Sequence, residues 1–115
     1  MGMWHATYLA YGLHVPVDAY GGECDRVDET LGRPAVKSLC PDVGHLTAGG
    51  YDEDMFFLVA EVIRVELGSH MRIGEEYGEL EAGWDRQLRE AVQELGYTSF
   101  TDLEEPGWLV IPDVS

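Results

Sequence analysis

Apolar positions along this chain change their period several times, and each change marks a candidate element. Residues 4–15 alternate with period two: Trp4, Ala6, Tyr8 and Ala10 share one face, and Thr7, Leu9, Tyr11, Leu13 and Val15 share the other. Both faces are largely apolar, which predicts a strand in the middle of a sheet, and Pro16 stops it. Residues 23–31 place Cys24, Val27 and Leu31 at helical spacing, and Gly32 followed by Pro34 supplies a stop signal. Residues 33–42, punctuated by Pro34 and Pro41, read as a connection, and residues 43–48 as a short strand.

Residues 55–67 offer two periods. A continuous apolar start leads into Ile63, Val65 and Leu67 alternating with Arg64 and Glu66, which is period two. A helix with Asp52, Glu53 and Asp54 in its first turn and Gly68 after its end is the rival. Val59, Val62, Ile63 and Val65 decide for a strand, because branched side chains lose rotamer freedom in a helix and fit a pleated surface. Residues 68–78 are glycine-rich and acidic. Leu80, Trp84, Leu88, Ala91, Val92 and Leu95 then recur at helical spacing, Asp85 and Arg89 form an i,i+4 pair, and Gly96 caps the end. Gly83 costs a helix about 1 kcal/mol relative to Ala, so the helix is expected to begin only at Trp84. Residues 108–111 make a final short strand before Pro112.

The order strand, helix, strand, strand, helix, strand matches the βαββαβ, ferredoxin-like plan: an α+β fold with an antiparallel sheet and two helices, the first and third strands central. With 115 residues, of which 45% are hydrophobic, the whole chain (1–115) is expected to form a single domain with a core that needs no metal or disulfide.

Charge changes the picture more than any motif does. Asp and Glu number 22 against 7 Lys and Arg, a formal net charge of −15, and the acids are spread over the whole length. Disorder does not follow, since three Trp, six Tyr and three Phe are distributed along the chain. A surface of this sign repels nucleic-acid backbones and anionic membranes, whose binding needs clustered Lys and Arg, and it attracts basic protein surfaces. A solubility role for the charge, or adaptation to a GC-rich genome or to salt, is the plainer explanation. No stretch reaches the ~20 apolar residues of a membrane span, and no signal peptide is recognisable at the N-terminus, so an intracellular, cytoplasmic protein is expected.

Candidate chemistry is sparse. Cys24 and Cys40 match no metal or redox spacing and are expected to be reduced. His5, His14, His45 and His70 lack the spacing that sets two imidazoles on one metal, and no glycine pattern or serine context suggests a nucleotide site or an activated nucleophile. No cofactor and no metal is therefore expected. The acids Asp52, Glu53 and Asp54 read as a charged hairpin tip, and Glu75, Glu76, Glu79 and Glu81 as a solvated strip among glycines. These seven are the candidate partner-binding residues. The composition leads to a small, non-enzymatic binding protein that docks on a basic protein surface, in its sharper form a phage-type inhibitor that imitates nucleic acid. The alternatives are a homodimer covering its open sheet face, or a small ligand-binding or enzyme domain.

Overall fold

The computed structural model describes residues 5–49 and 54–114. Four strands, β1 (His5–Val15), β2 (Gly44–Gly49), β3 (Asp54–Val65) and β4 (Gly107–Val114), form one sheet in the order β2-β3-β1-β4. Every neighbouring pair is antiparallel, and β1 and β3, the long strands with two apolar faces, are the interior ones. Three helices join them: α1 (Glu23–Gly32) and α2 (Pro34–Leu39) between β1 and β2, and α3 (Gly78–Glu94) between β3 and β4.

Period-two patterning sorts the side chains into two layers. Tyr11, Leu13 and Val15 of β1 and Phe56 and Leu58 of β3 face the helices, where they meet Val27 and Leu31 of α1, Val36 of α2 and Trp84, Leu88 and Ala91 of α3. Ala10, Phe57, Val59, Ala48 and Ile111 form a second cluster on the opposite face, to which no helix contributes. That face is drawn in at one end, while Tyr8, Leu46, Val62 and Leu109 on it stay only partly buried. The twist of the sheet brings the C-terminal ends of the two outer strands together over it, and the Gly49 N–H donates to Asp113 Oδ1 at 2.9 Å. Ala10 and Ala48 are fully buried there.

A bulge sharpens this curvature. Tyr11 pairs with Glu61 but Gly12 pairs with Val59, so Ala60 is the extra residue of β3. At that point the strands approach so closely that a Cβ on residue 12 would stand 2.0 Å from the Leu58 carbonyl oxygen. Glycine is there because nothing larger fits.

Several expectations are corrected. The connection at 33–42 contains α2, whose Pro34 occupies the first turn, where the missing N–H costs nothing. The last strand continues through Pro112 to Val114, since β4 is an edge strand and proline leaves only an outward-facing donor absent. The third helix starts at Gly78, ahead of Gly83, with Glu79 and Glu81 complementing its N-terminal dipole. Leu80, assigned above to its buried face, is 49% exposed. The strand reading of 55–67 holds over Asp54–Val65. Trp4 and the turn residues 50–53 fall outside the described residues.

Candidate functional site

A concavity is built where α3 hands over to β4. Gly96, with φ of +79°, ends the helix in the left-handed conformation. A 3-10 turn at Tyr97–Ser99 then drives Tyr97 into the core, at 2% exposure, and the chain returns along the helix toward β4. Pairing of β4 with β1 reaches only Gly12–Gly107. Beyond it, the His14 N–H is taken by Glu104 Oε1 at 2.6 Å, which pins the returning loop to the end of β1.

Between this loop and α3 lies a cleft of about 350 Å³. Leu13, Val92, Leu103 and Pro106 make its apolar lining; Arg89, Gln93, Thr98, Glu104 and Glu105 supply the polar groups. Its volume sits at the lower end of the roughly 300–1,000 Å³ range of small-molecule sites. Arg89 is already engaged: Nε donates to Asp85 Oδ2 at 2.7 Å, and Glu105 Oε2 stands 4.0 Å from its terminal nitrogen. The Asp85 carboxylate raises the Arg89 pKa further above its ordinary value.

The other polar clusters tie elements together. Glu23 accepts from Arg26 (2.6 Å) and from the Tyr97 hydroxyl (2.5 Å), while Arg26 also donates to the Leu95 carbonyl at the end of α3. The Arg26 hydrogen bond, aided by Tyr97, holds the Glu23 carboxyl below its ordinary 4.5, whereas burial, followed by the Glu23 bond, pushes the Tyr97 phenol far up. Gln87, buried on α3, exchanges two hydrogen bonds with Asp42, at 2.8 and 2.9 Å. These contacts fix α1 and the segment before β2 onto α3.

Glu23 carries a pH prediction. Its folded-state pKa is depressed, so its contribution is present above pH 4.5 and fades as pH falls through the folded-state value. Replacing Glu23→Gln removes the charged acceptor and should cost about 1–2 kcal/mol at neutral pH. Urea melts of both chains should draw together as pH falls below 4.5; a difference that stays as large under acid as at neutral pH would show that the charge is not what binds α1 to α3.

The acids singled out from sequence do not converge. Glu75 and Glu76 are exposed on a 3-10 turn (Glu75–Tyr77) and Glu79 in the first turn of α3. Glu81 is half-buried and accepts a hydrogen bond from Trp108 Nε1 at 2.9 Å, so it serves packing and does not belong to a free strip. Asp54 is the first residue of β3, paired with Gly49, and accepts from Tyr20, which raises the Tyr20 pKa. Asp52 and Glu53 lie outside the described residues. The cleft residues Glu104 and Glu105 went unnoticed in sequence, although an acidic pair immediately before Pro106 was there to read.

Catalytic chemistry finds little support. Burial and neighbouring carboxylates raise the pKa of both thiols; Cys24 Sγ lies 3.7 Å from the Ala19 carbonyl and Cys40 Sγ 3.3 Å from that of Val36. Both are free cysteines. His45 stacks on Phe56 and reaches Asp28 at 3.0 Å. Among the described residues no group of three or more His, Cys, Asp or Glu is placed to hold a metal ion, and no helix is long and apolar enough to cross a membrane. Comparison with known proteins returns no match of significance to a family model, a curated protein or a solved structure, so the functional reading rests on the geometry of the chain alone.

Proposed function

We propose that this chain is a non-enzymatic binding protein that meets a basic surface of another protein through its acidic exterior, with imitation of a nucleic-acid backbone as the sharper form. One observation carries the reading. Among the described residues every Asp and Glu is at least partly exposed, and only Glu23, Glu66, Asp85 and Glu105 lie within 4.0 Å of an arginine nitrogen. The charge is therefore not consumed by folding. It remains as a field that steers basic partners and repels phosphate backbones.

The test uses the immobilised chain and an extract of its host. At low salt it should retain nucleic-acid-binding proteins, and soluble DNA or RNA should compete with it for them. Retention should collapse as salt rises from about 0.1 to 1 M, where the screening length falls from about 10 to about 3 Å. Retention that survives 1 M salt, or the capture of no basic protein, would remove the proposal. A homodimeric role draws less support, because the outer strands already bury Ala10, Ala48, Phe57, Val59 and Ile111 on the helix-free face.

A further inference from the structure

We propose that the cleft between α3 and the loop before β4 receives an arginine side chain of the basic partner. This rests on the reading of the chain as a binder of basic protein surfaces and names the place where the contact centres. Glu79, one of the acids picked out by sequence, lies at the wrong end for it: Glu79 and Val92 are thirteen residues apart on one helix, roughly 20 Å. At the far end the charge is joined to a concave, partly apolar surface, where a long cationic side chain gains from its stem as well as from its head.

Shape sets the class of occupant. The cleft of about 350 Å³ is too small for a helix or a strand and suits one long side chain. Part of its lining is apolar, with Leu13 buried at 1% exposure and Val92, Leu103 and Pro106 half-buried. An arginine or lysine stem lies well on such a surface while its head stays at the mouth.

Charge sets the sign. Glu104 and Glu105 stand together on the loop side, both exposed. Glu104 spends Oε1 on the His14 N–H and keeps Oε2 unengaged by that bond; Glu105, with its side chain 84% exposed, touches only Arg89, and that at 4.0 Å. Two neighbouring carboxylates match the planar donor fork of a guanidinium better than the point charge of an ammonium. An anion has no comparable place. The one cation of the lining, Arg89, is held by Asp85 at 2.7 Å, with Glu105 at 4.0 Å. A single side chain seated in a pocket at the centre of a charged rim is the arrangement expected of a binding hot spot.

The experiment is a methyl-detected NMR titration of the whole chain at low salt with Nα-acetyl-arginine amide, beside the matching lysine and glutamate amides. The arginine amide should give saturable shifts at Leu13, Val92 and Leu103, the lysine amide weaker ones, and the glutamate amide none. Glu105→Gln should weaken the arginine amide about tenfold without disturbing the fold, and Val92→Trp, which fills the cleft, should abolish the shifts; Glu79→Gln should change nothing. Shifts that spread over the surface without saturating at the cleft, survive Glu105→Gln unchanged, or follow the glutamate amide overturn the proposal. A host partner retained equally well by wild type and Glu105→Gln sinks the cleft but spares the acidic-surface reading. Arginine amide seated in the cleft with no basic host protein retained spares the cleft and sinks the wider reading.

Discussion

Gly12→Ala is expected to be the most damaging single methyl that can be added to this protein. The new Cβ would lie 2.0 Å from the Leu58 carbonyl oxygen and 2.9 Å from the Val59 Cα, both backbone atoms of the neighbouring strand. A flexible side chain could swing away from such a clash; a paired backbone cannot. Relief requires β1 and β3 to separate at the bulge, the point from which the interior of the sheet takes its curvature. Overpacking ordinarily costs about 1–3 kcal/mol, and a backbone clash belongs at or above the upper end. For a domain of this size that is a fall in Tm on the order of 10 °C or more. Gly83→Ala is the matched control: its added Cβ meets nothing within 4 Å in the middle of α3, so the change should raise stability by about 0.5–1 kcal/mol. Thermal and urea melts of the two variants should move in opposite directions. A Gly12→Ala protein within 1 kcal/mol of wild type would mean that β1 and β3 do not approach as described.

The second large effect is expected at Trp84. Its ring lies 5.5 Å from that of Tyr11, 5.9 Å from Trp108 and 6.2 Å from Tyr77, and Trp108 is in turn edge-on to both tyrosines. These four rings come from β1, α3, β4 and the turn before α3, so the cluster joins the helix layer to the sheet. Trp84 is 6% exposed, and Trp84→Ala should cost about 3–5 kcal/mol through lost burial and an unfilled cavity. Edge-to-face contacts are worth about 0.5–1.5 kcal/mol beyond area, so Trp84→Phe should recover only part. The near-ultraviolet circular dichroism of the folded protein should fall in parallel, since the rings lose their asymmetric neighbours. An alanine variant with an unchanged melt and an unchanged near-ultraviolet spectrum would show that the cluster does not anchor α3.

The elements that could be read in the sequence are those whose information is local and repeated. β1 is legible because alternation persists over about a dozen residues, and β3 because a continuous apolar run rich in branched side chains passes into alternation at Ile63, Val65 and Leu67. The third helix was legible because Trp84, Leu88, Ala91 and Leu95 recur on one face, although its start was set too late. There the interior Gly83 was weighed by its propensity alone, whereas the first-turn acids and the Glu81–Trp108 hydrogen bond favour the extra turn. α2 was missed because six residues hold less than two helical turns, and Pro34 looks the same in sequence whether it breaks a helix or begins one. β4 was cut short at Pro112 because nothing local says that the strand lies at an edge, where proline is tolerated.

By itself, the sequence determined the alternation of the two inner strands, the amphipathic third helix, the α+β class and the acidity of the exterior, all properties of neighbouring residues or of composition. Tertiary structure alone decided that Gly12 would be squeezed at a bulge, that the outer strands would meet at one end of the helix-free face, and that Leu13, Val92, Leu103 and Glu105 would line one cleft. Residues 13 and 105 are brought together by the pairing of β4 with β1, and the approach of Gly49 to Asp113 by the twist of a whole sheet. Such placements depend on long-range pairing and curvature, which no local pattern encodes.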